Sequence, residues 1–293
     1  MRLRICISIV LVGLMFVFSS SATAQTARSI TVITEPNGVV WVDDIRRGAA
    51  DASGRLVIKN VPSGVRRLRV RANGFKEAAQ TLTAAQKGEV KIALVKTTDE
   101  AELAFQQAES VIGSDRAKAI ELFRKAAKLR PRFAEAQLAL ARALADNGDN
   151  DEALQAIREA RKIRPVYPEA SAVEGRIYRS LGEDEKAIAA FKRAIREGKG
   201  VQPEARTGLG LIYQDKAEGF ASEGDFEQEK AAYAQAAAEL RLALQQLAGA
   251  PDAETIYQLL GVAYEKQQRY AEAIKVYEEF LRLFPDSSEA SAV

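Results

Sequence analysis

The chain has 293 residues, 47% apolar and 28% charged, with 42 Lys and Arg against 40 Asp and Glu. That is the composition of a folded protein rather than a disordered or fibrous one. It has no histidine and one cysteine, Cys6, which excludes imidazole chemistry and confines thiolate chemistry to the extreme N-terminus.

The first 24 residues read as an export signal. Arg2 and Arg4 precede an apolar run over 5–18, and Ala22-Thr23-Ala24 follows as a small-x-small cleavage site. The run is too short to span a bilayer comfortably, so cleavage after Ala24 and a periplasmic or secreted protein are expected. Membrane contact would arise only through this segment, if it stays uncleaved. Cys6 leaves with it, and a mature chain without cysteine must be stabilised by packing alone.

Charge divides unevenly along the remainder. Residues 26–97 hold 13 Lys and Arg against 6 Asp and Glu, whereas residues 98–293 hold 27 against 34. A basic unit joined to an acidic one attracts anionic surfaces or its own other half. Nucleic acid is not expected as a partner, because aromatic and basic residues do not interleave.

Residues 28–96 alternate as strands do. The runs "SITVITE", "VVWVDD", "RLVIKN", "RRLRVRA", "AAQTLT" and "EVKIALV" are separated by Pro36-Asn37-Gly38, Ser53-Gly54, Pro62-Ser63-Gly64 and Asn73-Gly74. Short strands with such turns predict a small antiparallel β-sandwich. Across "VRRLRVRA" Val65, Leu68 and Val70 are expected inside, and Arg67, Arg69 and Arg71 outside as a solvated basic ribbon. Trp41, the only tryptophan, is expected to pack rather than to stack on a sugar. This segment resembles the PEGA domain through Glu35-Pro36-Asn37-Gly38, Val40 and Val42, Asp43-Asp44, Gly48, Pro62 with Gly64, and Gly74-Phe75. After Gly48 it is also similar to the regulatory sandwich that follows some carboxypeptidases. Both resemblances imply a non-catalytic sandwich.

From residue 99 to 290 a different period takes over. Thr98 is the expected N-cap of a first helix, with Asp99 and Glu100 in its first turn. Ala119, Phe123, Ala126 and Pro131 recur as Ala153, Ile157, Ala160 and Pro165, and the first three reappear as Ala187, Phe191 and Ala194, with Lys199 in place of proline. Ala273, Tyr277, Phe280 and Pro285 close the series. Leu140-Ala141, Gly175, Leu209-Gly210 and Leu260-Gly261 mark the preceding half of each unit. Apolar residues three and four apart put one stripe on each helix, small residues sit where helices approach, and proline ends the unit. No unit can bury its stripe alone, so each must stack on the next. The pattern resembles the tetratricopeptide repeat, and about five helix-turn-helix units are expected after the all-β module.

The fourth unit is longer. Ala187 and Ala273 are 86 residues apart rather than a multiple of 34. Two lengthened helices joined at Glu223-Gly224-Asp225 account for the excess, with Phe226 and Tyr233 on an overhang expected to expose part of its stripe. Two motif-like strings carry no chemistry. "DNGDND" (146–151) has its glycine at the wrong position for a calcium loop, and "TGLGLIY" lies within a helix with no preceding strand.

No catalytic constellation is present, and no metal or cofactor is expected. The resemblance to tetratricopeptide repeats implies a concave groove lined by Arg142, Arg176, Arg179, Gln214 and Asp215, with Leu138 and Leu211 as apolar contacts. The bland alternative has these arginines pairing with Glu135, Glu169 and Glu204. The expected function is a non-catalytic scaffold of the bacterial cell envelope that binds a protein or peptide in this groove, with the hairpin tip, about 216–233 and including Phe226 and Tyr233, contacting a partner or a second copy of the chain. The alternative is a cell-wall or carbohydrate-binding protein, in which the basic sandwich holds an anionic polymer.

Overall fold

The computed structural model describes residues 28–291. The expected export signal, its cleavage site and Cys6 lie outside them. Among the described residues, seven strands precede ten α-helices.

The strands form two sheets. One has the order β4-β1-β7 and the other β3-β2-β5-β6. Strand β1 (Arg28–Ile33) runs antiparallel to β4 (Arg55–Val61) and parallel to β7 (Gly88–Lys91). In the second sheet β2 (Val39–Val42), β3 (Ile45–Ala49), β5 (Arg66–Arg71) and β6 (Ala78–Leu82) are antiparallel throughout. Ile30, Val32, Val40, Val42, Leu68, Val70 and Leu82 fill the space between the sheets and are fully buried. Alternation along each strand produces this core, because every second side chain points to the same face.

Two details depart from the sequence reading. Strand β3 is not expected from its residues, since Arg46, Arg47 and Gly48 lack apolar alternation. It forms because Asp43 and Asp44 both take positive φ, which makes a two-residue hairpin turn after β2. Val65 is exposed rather than inside, because β5 begins one residue later and its inward set starts at Leu68.

The helices pair in chain order: α1 (Glu100–Val111) with α2 (Arg116–Leu129), α3 (Ala134–Asn147) with α4 (Asn150–Ile163), α5 (Pro168–Ser180) with α6 (Asp184–Glu197), α7 (Pro203–Glu223) with α8 (Phe226–Leu247), and α9 (Glu254–Lys266) with α10 (Tyr270–Leu283). Five stacked hairpins give the expected superhelix. The N-cap of α1 is Asp99 rather than Thr98. Its carboxylate accepts from the amides of Ala101 and Glu102 and also pairs with Arg130 at 2.7 Å, a combination the threonine hydroxyl cannot make.

Each repeated small residue has a steric cause. A Cβ added at Gly175 would lie 2.6 Å from the Phe191 ring, and one at Gly261 would lie 2.2 Å from Tyr277. The glycines let the second helix of a unit press its ring onto the first. Helices α7 and α8 have 21 and 22 residues where neighbouring helices have 12 to 14. Gly224 ends α7 in the left-handed conformation, and Asp225 caps α8 through the Gln228 amide.

Candidate functional site: an arch between sheet and superhelix

The sandwich is not a detached neighbour of the array. Its second sheet lies across the mouth of the concave groove and is held at both ends.

At the first end, Arg71 reaches α1 from β5. Its guanidinium donates to Glu109 at 2.9 Å and to Glu77 at 2.6 Å, and stacks 4.6 Å over the Phe105 ring. Burial opposes the Arg71 charge, but the Glu109 and Glu77 carboxylates outweigh it and leave its pKa raised. Beside it the buried Gln106 amide donates to the Phe75 carbonyl at 2.7 Å and accepts from the Gly74 amide at 2.8 Å. The connecting strip is also tied down, with Lys76 and Thr97 amides bonded to the Val95 and Gly74 carbonyls. The basic ribbon is therefore not a solvated face. Arg71 is buried, Arg69 bonds Asp44 and Glu77, and Arg67 alone of the three is exposed.

At the other end β3 meets the junction of α8 and α9. Buried Arg47 donates to the carbonyl of Leu247, the last residue of α8, where a helix C-terminus favours a cation. Burial lowers the Arg47 pKa, and Asp43 partly offsets this. Ile45 packs into the apolar cluster formed by α8, α9 and α10.

Between these two anchors the sheet faces the groove. They enclose an open cavity of about 1500 Å³. Trp41, Asp44, Arg46, Arg67 and Arg69 line the sheet side. Leu138 and Arg142 from α3, Glu169, Arg176 and Arg179 from α5, and Glu204, Thr207 and Leu211 from α7 line the other. Trp41 is half-buried between guanidinium groups, with Arg69 at 5.0 Å and Arg71 at 5.5 Å from its ring.

The groove residues expected from the sequence are partly gathered here. Arg142, Arg176 and Arg179 line the arch and also tie its helices together. Arg142 pairs with Glu204 at 2.7 Å, Arg176 with Asp146 at 3.1 Å, and Arg179 with Asp215 at 2.9 Å. Of the three acids named as alternative partners, only Glu204 holds one of these arginines. Glu135 instead pairs with Arg164. Arg176 retains Nε and Nη2 atoms that make no hydrogen bond within the described chain. Gln214 is buried and donates to the Leu259 carbonyl at 3.0 Å, so it braces α7 against α9 and does not face the cavity. Phe226 and Tyr233 lie on the long hairpin. Tyr233 is 2% exposed and packs with Ala217, Phe220 and Ala237, because α7 is lengthened as much as α8 and covers its stripe. Phe226, at 72% exposed, is the large apolar side chain left bare at the tip.

Glu169 enters the sequence reading only as a pairing acid, yet it has no ion-pair partner among the described residues. Burial raises its pKa, and Asp44 on the facing wall adds to the rise. Sequence reasoning misses Arg47, Phe105 and Gln106 altogether. Each acts on a residue distant in sequence, and no local pattern marks them.

Models of the tetratricopeptide repeat match residues 114–177, 169–197 and 255–287. No curated protein matches the chain. Among solved structures, a thermophilic tetratricopeptide-repeat protein of Thermus thermophilus is 22% identical, with a TM-score of 0.50 over 66% of this chain and 95% of that one. The Cut9-Hcn1 hetero-tetramer of the APC/C has a chain 18% identical, with a TM-score of 0.52 over 66% of this chain and 35% of that one. The human IFIT1 dimer with m7Gppp-AAAA is 19% identical, with a TM-score of 0.53 over 64% of this chain and 42% of that one. At these identities the likeness is one of fold.

Two measurements probe the site. Arg47→Ser with Arg71→Ser removes both anchors. Small-angle scattering should show a larger radius of gyration, while the far-UV circular dichroism of the helices stays unchanged. A scattering profile identical to wild type would contradict the docking. Glu169→Gln should raise stability to urea at pH 7, since the native state carries an ionised carboxylate it disfavours. The gain should fade as pH falls towards about 4 and be absent below that, where the glutamate is protonated in both states.

Proposed function

The helical half of this chain is an array of tetratricopeptide repeats, and from that premise we propose that the protein is a non-catalytic scaffold holding an extended peptide segment in the arch. Such repeats are generally non-catalytic, and their fold is that of a protein-interaction scaffold. The observation that carries the reading is the arch itself. It sets the groove wall of α3, α5 and α7 opposite a second wall made by the sheet, with open space between them. Ligand pockets combine apolar surface with a few placed polar groups. Leu138 and Leu211 supply the first, and Arg176 and the unpaired Glu169, both on the cavity wall, supply the second. Arg176 suits a carbonyl or carboxylate of the segment, and Glu169 with Asp44 suits a basic side chain.

In this reading the sandwich, PEGA-like by its sequence, is the fixed second wall. Its basic ribbon is largely spent on internal partners, which leaves the reading of a cell-wall polymer held there with less support. The expected export signal supports a scaffold of the cell envelope, periplasmic or secreted. N-terminal sequencing of the protein from its native cells should begin at Gln25, and an intact Met1 would contradict export with cleavage.

The binding reading is tested with a photo-reactive amino acid at Leu211 of the full chain in those cells. A crosslinked protein partner is expected, and Thr207→Arg, which puts a bulky cation beside Leu211 in the arch, should abolish it. The same probe at Phe226 should capture none of that partner. Crosslinking at Leu211 that survives Thr207→Arg would contradict the proposal.

A further inference from the structure

We infer that the segment held in the arch carries an acidic and a basic residue an odd number of positions apart, the acid turned to the sheet and the base turned to the groove. This rests on the arch being a peptide site and adds the chemistry of what occupies it. Each wall leaves some of its charges unpaired. On the helical side Arg142, Arg164, Arg176 and Arg179 each hold an acid. Among the described residues, Glu169 of α5 and Asp252, which precedes α9, are the charges of that wall without an ion pair. The sheet has the opposite excess. Arg46 and Arg67 line the cavity, both exposed and neither in an ion pair among the described residues. Glu35, also unpaired, stands before the turn into Val39, whose register partner is Arg71, and so belongs to the far end of the sheet.

The strand register puts the two cations on one face. Arg46 and Arg69 are the partners of Trp41 on its two sides, so these three side chains share a face, and Arg67, two residues before Arg69, joins them. Trp41 lines the cavity, which makes this the face turned to the groove. A chain extended between two walls sends successive side chains to opposite walls. An acid that meets Arg46 or Arg67 therefore has the residues one and three positions away turned to the groove, where Glu169 stands. Asp44, shared with Arg69, faces Glu169 closely enough to raise its pKa and adds to the pull on the same base.

Occupants of a single charge fit worse. An anionic polymer leaves Glu169, Asp44 and Asp252 facing like charge, and a wholly basic segment meets Arg46 and Arg67. A segment with both signs, set on opposite sides of its backbone, answers both walls at once.

Random peptides displayed on phage, selected on the purified full chain and kept if Thr207→Arg abolishes their binding, test this. The retained peptides should carry Asp or Glu at an odd spacing from Lys or Arg. For one of them, measured by fluorescence anisotropy, Glu169→Lys should weaken binding on the order of tenfold, and exchanging the peptide's base for Glu should restore it. Arg46→Glu with Arg67→Glu should weaken binding likewise, and exchanging the peptide's acid for Lys should restore it. Retained peptides without a base, an acid moved by one position that binds equally well, or a charge exchange that fails to restore would each overturn the inference while leaving the arch a peptide site. If no selected peptide depends on the arch, the reading of the arch as a peptide site falls, and the inference with it.

Discussion

Two buried guanidinium groups hold the molecule closed. Arg71 and Arg47 both leave the same sheet, and each ends on an acceptor of the helical array. Glu109 sits on α1, and the Leu247 carbonyl, which also accepts from the Ala250 amide, lies at the end of α8. Burying a cation is costly unless its hydrogen bonds are made, so neither anchor tolerates a loose sandwich. Together they fix the sheet across the groove, and everything that faces the cavity depends on that placement.

The array supplies the other half of the constraint. Its hairpins stack because no single one can bury its stripe, and the stacking makes a concave face. Arg142, Arg176 and Arg179 are both ties and wall. Each bonds an acid on another helix of the groove wall and also lines the cavity. A groove braced in this way is pre-organised, which lowers the ordering cost of binding a flexible segment. Glu169 is the exception, a carboxylate left without a partner where stability alone would favour a neutral residue.

The array is legible in the sequence because its causes are local. An alanine, an aromatic ring and a proline at fixed offsets report helix contact and helix termination within a few turns, and Glu223-Gly224-Asp225 reports a chain reversal. Strand β3 is not legible, since it owes its place to a two-residue turn and to Arg47, whose partner lies 200 residues away. The opposite charges of the two halves foretell attraction without geometry. Tyr233 misleads for a related reason. Both lengthened helices are read from the sequence, but not which side chains of α8 the facing α7 covers.

The central claim is that the sandwich spans the groove as one fixed wall. Pulsed electron resonance between spin labels at Thr81→Cys and Glu185→Cys, with Cys6→Ser, measures it directly. Both sites are exposed, one on the sandwich and one on the array. A single narrow distance distribution, unchanged between low and physiological salt, is the predicted result. A broad or two-peaked distribution in the unliganded chain would contradict the account.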